Sequence, residues 1–437
     1  MSNRKSTTQA ARRLLSAALL SSAAMIATLP SASSAEEIEF WTHTYGDQIA
    51  WTAAVKELAE AFEAESGIKV NHQIVPWKAA KKTWLTIAQG GAAPDCADMF
   101  WLHSYSAIGG DKFGPMPIND YKSKFPTLEQ DFYAGALQDS TWRGDFYGIP
   151  WRGDIRAMLY RSDVAEEVGM TSAPETWDEV IEAAKKMTKL DANGNVERWG
   201  YGFGSSNVVS WLLPLYWQAG GEMMTEDGKT ATIDNDAMRA ALTFMHDMVN
   251  VHKVADPDAF EKGYKAQPAF VAGKIGIIGS AEQSLGKKLE AENPEVNGKW
   301  SFARSAAGSE DRDSFSGAGY VGVLRGTEKA DQCTDWMVFL AKDSSMQKLS
   351  EATGNVATKP AVMASDFWTD RPYKKVVAEA LQDAHTSQHP APSWSSISTA
   401  EPGGVLYDLI YSTVIEQKDM NEAIAKAQEL MQAELDR

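Results

Sequence analysis

From Ile38 to Trp101 the chain alternates between two hydrophobic periods, and this alternation restricts its fold more than any other feature. Ile38-Glu39-Phe40-Trp41 reads as a strand. Trp51, Val55, Leu58 and Phe62 then recur at helical spacing, with Gly67 placed to end the helix. Ile68, Val70 and Ile74 alternate as a second strand. Lys78 to Gln89 reads as a helix stopped by Gly90-Gly91, and Pro94-Asp95 introduces a third strand, Cys96 to Trp101. Strand, helix, strand, helix, strand predicts a parallel sheet covered by helices. Ligands of such sheets bind beyond the carboxyl ends of the strands. That points to His43, Tyr45 and Asp47 after the first strand, and to His103, Ser104 and Tyr105 after the third.

Gly148 to Tyr160 is the second constraint. Gly-Ile-Pro sets an extended entry, and Trp151, Arg152, Asp154 and Arg156 follow before the apolar run Ala157 to Tyr160. The stretch reads as a crossing between two lobes, with Asp154 at a strand start beside indole and guanidinium groups that could grip a polar ligand. An edge strand with a surface ion pair fits the same residues. Gly354 to Pro360 reads as a second extended crossing.

The intervening chain repeats the strand and helix signals. Thr176-Trp177-Asp178-Glu179 is a capping box. Asp191 to Asn195 reads as a plain turn, because Gly202 stands where a calcium loop needs its bidentate acid. Trp199 to Phe203 is a strand, and Trp211 to Trp217 is either a core helix or an aromatic platform. Met238, Leu242, Met245 and Val249 mark a helix. A buried strand runs to Gly279 ahead of Glu282-Gln283. Gly317 to Tyr320 precedes a strand from Val321 to Leu324, Asp331 to Ala341 is a helix, and Met420 to Leu435 is amphipathic.

Residues 1–35 combine Arg4, Lys5, Arg12 and Arg13 with an apolar run from Leu14 to Leu29 and small residues up to Ala35, the pattern of a cleaved secretory signal. The run is short of the roughly 20 residues a membrane span needs. Of the 42 Lys and Arg, 38 follow that segment against 59 Asp and Glu, a net charge of −21. Such acidity argues against nucleic acid and suits an exported protein. The 402 residues after the signal suffice for two domains. Cys96 and Cys333 are the only cysteines, and their apolar settings favour two buried free thiols over a disulfide.

Signals of catalysis are poor. There is no Gly-x-Ser-x-Gly elbow, no His-Glu-x-x-His and no Walker loop, and the seven histidines are scattered, so neither a metal nor a cofactor is expected. Aromatic supply stands out instead. Fifteen tryptophans are present, and Trp101, Trp151, Trp211 and Trp394 read as lying at strand ends or in loops. Indole faces stack on pyranose rings while carboxylates and amides take the hydroxyl hydrogen bonds.

Taken in order, Phe40-Trp41, Gly67 to Val70, Pro94-Asp95, Gly148 to Tyr160, Pro174 to Glu179, Gln218 to Gly221, Ala269 to Lys274 and Ala352 to Gly354 give the chain a resemblance to the extracellular solute-binding proteins of ABC sugar importers, family 1, which includes maltose-binding protein. The resemblance implies an α/β fold of two lobes, each a largely parallel sheet flanked by helices, joined by hinge strands that close over ligand. Residues 36–152 with 318–361 would form the N-terminal lobe, and 153–317 with 362–437 the C-terminal lobe. It implies that Trp101, Ser104 and the loop from His43 through Tyr45 to Asp47 line the cleft, that Asp154 takes sugar hydroxyls, and that Tyr407 lies near a stacking aromatic. Arg156, Trp211, Gln283, Tyr320 and Trp394 complete the candidate set. Ser104-Tyr105 replaces a charged pair of the maltose binder, so the solute need not be maltose.

The expected protein is a periplasmic monomer that passes a sugar, small oligosaccharide or sugar derivative to a membrane permease. One alternative gives the same fold an anionic sugar acid or sulfonated sugar held by Arg152, Arg156 or Lys359. Another is a secreted polysaccharide-cleaving enzyme using Asp154.

Overall fold

A computed structural model of the chain describes residues 36–99, 110–204, 208–261, 264, 266–386, 391 and 393–436. The chain opens as expected. β1 (Glu37–Thr42) buries Ile38, Phe40 and Thr42 in alternation, and α1 (Gln48–Ser66) follows. Asp47 caps α1 by accepting from Ala50 N at 2.8 Å, and Gly67, at φ 75°, ends it with its N–H on Glu63 O. β2 (Lys69–Ile74) and β3 (Cys96–Met99), separated by α2 (Trp77–Ala88), both pair parallel with β1.

One strand then spans the molecule. β6 (Gly148–Arg161) follows a separate small hairpin of β4 (Thr141–Trp142) and β5 (Asp145–Phe146). Its first half pairs antiparallel with β11 (Ser314–Val323); its second half pairs with β9 (Ile275–Glu282) on one edge and β10 (Trp300–Ala303) on the other. With β7 (Lys189–Leu190), β8 (Val196–Gly204) and β12 (Ala384–Thr386), the described strands make one mixed sheet, ordered β2-β1-β3-β11-β6-β9-β8-β7, with β10 on β6 and β12 on β11.

Two helical layers cover this sheet. The larger core joins α1, Cys96, Trp151, Ile155 and Ala157 to Phe270 of α7 (Ala266–Val271), Leu285 and Leu289 of α8 (Ser284–Glu292), α9 (Ala330–Leu340) and α10 (Asp343–Thr353). The second gathers α4 (Trp177–Met187), α5 (Val209–Gln218), α6 (Asp236–Asn250), α11 (Val405–Ile410) and α12 (Met420–Leu435); α3 is the short helix Ala134–Asp139. Thr176 caps α4 by accepting from Glu179 N, while the Glu179 carboxylate accepts from Glu175 N, one residue ahead of the cap. Asp191 closes its turn by accepting from Asn193 N and Asn195 N, both at 2.8 Å.

Three expectations change. Cys96 and Cys333 are buried but form a disulfide, Cα to Cα 6.0 Å, joining β3 to α9. The pairing of Cys96 with Val323 of β11, beneath α9, brings the two sulfurs together. Trp151 lies in mid-strand rather than a loop and is 2% exposed, packed edge-on against Phe40 at 5.8 Å and Trp51 at 5.4 Å. Burying such a ring stabilises by about 1.5–3 kcal/mol, and each edge contact adds about 0.5–1.5 kcal/mol.

The third change concerns the strand beside β6. It is β11, which includes the glycine run read as a lead-in. A Cβ on Gly319 would lie 2.3 Å from the Arg152 guanidinium, so the missing side chain makes room for that arginine. Residues 355–359, within the segment read as a second crossing, also lie alongside β6, with Gly153 N on Val356 O at 2.8 Å and the Thr358 hydroxyl on Pro150 O at 2.6 Å.

Candidate functional site

Alternation along β6 sets the site. Trp151, Ile155 and Ala157 face the larger core, which sends Arg152, Asp154 and Arg156 to the opposite face. There Arg156, 9% exposed, holds two carboxylates: Asp154 Oδ2 at 3.0 Å and Glu282 Oε1 at 2.7 Å. Glu282 is the last residue of β9 and the register partner of Arg156. Its side chain is 42% exposed and that of Asp154 28%, so a buried cation carries two acids that reach solvent. Burial lowers the Arg156 pKa and Asp154 opposes that shift; a guanidinium stays cationic in either case. The arrangement fixes the carboxylates and leaves lone pairs that can accept from ligand hydroxyls.

A second pair stands behind it. Arg152 donates to Asp98 through Nε at 3.1 Å and Nη2 at 3.3 Å, both residues being buried. The guanidinium lies 3.1 Å from the centroid of the Tyr45 ring. Burial raises the Tyr45 phenol pKa well above its usual value, Arg152 opposes this, and Asp98 adds to it.

The other candidates are dispersed. His43 is buried with its ring filled: Nδ1 donates to Val75 O at 2.8 Å and Nε2 accepts from Trp84 Nε1 at 3.1 Å. Burial lowers its pKa, which keeps this neutral tautomer. Trp211, 4% exposed, stacks on Phe203 at 5.7 Å beside a cavity of about 40 Å³ that Ser280 also lines. Tyr320 is fully buried near Trp84, Tyr147 and Met99, and Trp394 is 2% exposed in the second core. Gln283 turns inward, accepting from Ile155 N at 3.1 Å. Tyr407 is half-buried on α11 and stacks on Tyr411 at 6.0 Å. Burial, Tyr411 and the acids Glu261, Asp408 and Glu401 all raise its pKa. Trp101 and Ser104 lie outside the described residues.

Of the candidates, the structure therefore joins Asp154 with Arg156, places Tyr45 over Arg152, and adds Glu282, which the sequence reading passed over. A signal existed: Glu282 ends a buried strand at an acid, as Asp154 interrupts one. Glu282 also borders a groove of about 1050 Å³ between the β1–α1 loop, at Thr44 and Gly46, and the helices α7 and α8. Lys359, named for an anionic ligand, sits elsewhere on Asp343 at 2.7 Å and Asp131 at 3.4 Å. Among the described residues no group of three or more His, Cys, Asp or Glu is placed to hold a metal ion.

Comparison with known proteins agrees with this architecture. Proteins of Brucella abortus and Brucella suis, named as proposed binding proteins, are 23% identical over 355 residues, covering 78% of this chain and 81% of theirs. Among solved structures, a solute-binding protein of an ABC transporter from Thermotoga lettingae, bound with α-D-tagatose, matches with TM-score 0.76 and 21% identity over 92% of this chain and all of its own. A substrate-binding protein from Listeria monocytogenes in complex with cycloalternan gives TM-score 0.77 and 19% identity over 91% of this chain and 98% of its own. A maltose-bound protein from T. maritima gives 0.76 and 20% over 91% of this chain and 100% of its own. These likenesses establish the two-lobed α/β fold. Residues 45–347 match the model of the bacterial extracellular solute-binding proteins, and the chain belongs to that family.

Proposed function

We propose that this protein captures a neutral sugar, small oligosaccharide or sugar derivative between its two lobes outside the cytoplasm and delivers it to the permease of an ABC importer. The observation that carries the reading is the Asp154–Arg156–Glu282 row at the strand crossing: two solvent-reaching carboxylates fixed by one buried cation. Carboxylates so held accept sugar hydroxyls with little reorganisation. Tyr407 supplies an aromatic face, and Trp101 and Ser104 belong to the same proposed cleft. The lobes would divide near 152/153, 317/318 and 361/362. Ligand must favour the closed arrangement over the open one, because only differential affinity moves a hinge equilibrium.

A neutral ligand fits better than an anion. Arg152 and Arg156 each already face a carboxylate, as does Lys359, so an anion would compete with an existing partner. Family members and structural relatives are binding proteins, which favours capture over a hydrolase built on Asp154 and its neighbouring carboxylate Glu282. The test is a thermal-shift and calorimetry panel of neutral sugars, sugar acids and oligosaccharides. Neutral saccharides should raise the melting temperature without product, and Asp154→Ala should weaken binding at least about tenfold, in line with about 1.5–3 kcal/mol for a charged hydrogen bond. Turnover, or undiminished affinity in a folded Asp154→Ala protein, would remove the reading.

A further inference from the structure

Gln283 follows Glu282 but points away from solvent, 3% exposed. Its Oε1 accepts from Ile155 N at 3.1 Å, and its Nε2 donates to Asn355 Oδ1 at 3.3 Å. Asn355, also buried, donates through Nδ2 to Tyr45 O at 3.4 Å. One helical turn further along, Lys287 Nζ donates to the backbone carbonyls of Glu351 and Ala352. These belong to the last turn of α10, where carbonyls lack intrahelical donors and the helix dipole favours a cation.

The junction is close-packed. A Cβ on Gly354 would lie 3.1 Å from Lys287 Cβ, and one on Gly46 would lie 3.0 Å from Thr353 O and 3.7 Å from Ser284 Cβ. α10 packs on α1, in the half that carries β1 to β3, whereas α8 continues from β9 in the other half. These bonds therefore cross between the halves beside β6. Neither Gln283 nor Lys287 is part of the Asp154–Arg156–Glu282 row.

We propose that Gln283 and Lys287 form a brace between the two halves that sets the angle between them, and so tunes ligand affinity without touching the ligand. The brace ties the residue after Glu282 to hinge strand β6, to the β1–α1 loop and to the end of α10. Any rotation of one half against the other must stretch or re-form these bonds. The part about affinity rests on the capture reading; the part about angle does not.

Cys96 and Cys333 are bonded to each other, so cysteines introduced at exposed Lys56 and Lys426 would be the free thiols for a pair of distance probes. The interlobe distance distribution is measured without ligand in the parent, Lys287→Met, Gln283→Met, Lys287→Arg and Gln283→Glu. Both Met variants should shift or broaden it and change the dissociation constant of the best panel sugar at least fivefold, near the lower end of typical coupling, about 5–150-fold. Lys287→Arg should preserve both. Gln283→Glu, which keeps the acceptor for Ile155 N and loses the donor to Asn355, should fall between and covers the case in which Gln283→Met does not fold. Distributions identical to the parent in Lys287→Met and Gln283→Glu would overturn the brace. If no sugar binds the parent, the capture reading fails while the distance measurement still decides the brace.

Discussion

Asp139 ends α3 at 6% exposure, where Oδ2 accepts from Ala318 N at 2.8 Å and Oδ1 from the Thr386 hydroxyl. Burial pushes its pKa up to about 6, against those two hydrogen bonds and nearby His385. The native state therefore retains a proton that the unfolded chain releases at an ordinary carboxylate pKa. The resulting stability is fully present below that ordinary value and is lost as pH rises through about 6. Relative to the parent, Asp139→Asn should gain about 3 kcal/mol in unfolding free energy between pH 3 and pH 7. Urea unfolding across that range measures it, and a difference independent of pH counts against the assignment. Single residues were legible where local rules decide them: Gly67 ends a helix, Thr176 caps one, Asp191 closes a turn. They were illegible where a partner distant in sequence decides, as for Asp139, for Gln283 on Asn355, and for Gly319 beneath Arg152.

Between elements, the joint of β3 and α9 is covalent and spans a long stretch of chain. Its disulfide closes 237 residues of separation, and restricting so long a loop in the unfolded chain raises stability by about 2–4 kcal/mol. Cys96→Ser combined with Cys333→Ser should lower the denaturant midpoint accordingly, and the parent unfolded under reductant should match the double variant. Equal midpoints for oxidised parent and double variant would show that the bridge contributes nothing. Apolar neighbours revealed that both cysteines are buried but not that they meet, because the meeting depends on β11 drawing α9 over β3. β11 itself was half legible. Val321 to Val323 carry strand character, whereas Gly317 to Tyr320 read only as the lead-in to it until Asp154 and Arg152 of β6 appear opposite Gly317 and Gly319.

Across the whole molecule, β6 and β11 each serve both halves of the sheet. Loss of either strand removes neighbours on both sides, so calorimetry should record one endotherm whose van't Hoff and calorimetric enthalpies agree. Two resolved transitions would mean that the halves melt apart. The α/β class was legible because hydrophobic period and chain order dictate it, and the two-lobe plan was implied by the family resemblance. Gly148 to Tyr160 lies within one long strand that pairs with β11 along its first half and with β9 and β10 along its second. The side-chain row on that strand was less legible, since Glu282 reaches it from a strand more than a hundred residues later. Sheet order also bears on how the chain can be made. β3 lies between β1 and β11, yet β11 begins only at Ser314 of 437 residues. Throughout synthesis of the intervening chain, one edge of β3 has no neighbour to pair with, an invitation to stray association. The N-terminal third cannot complete its own sheet on emerging, so a newly made chain stays unfinished, and open to any export route that carries unfolded polypeptide, until about three-quarters of it has appeared.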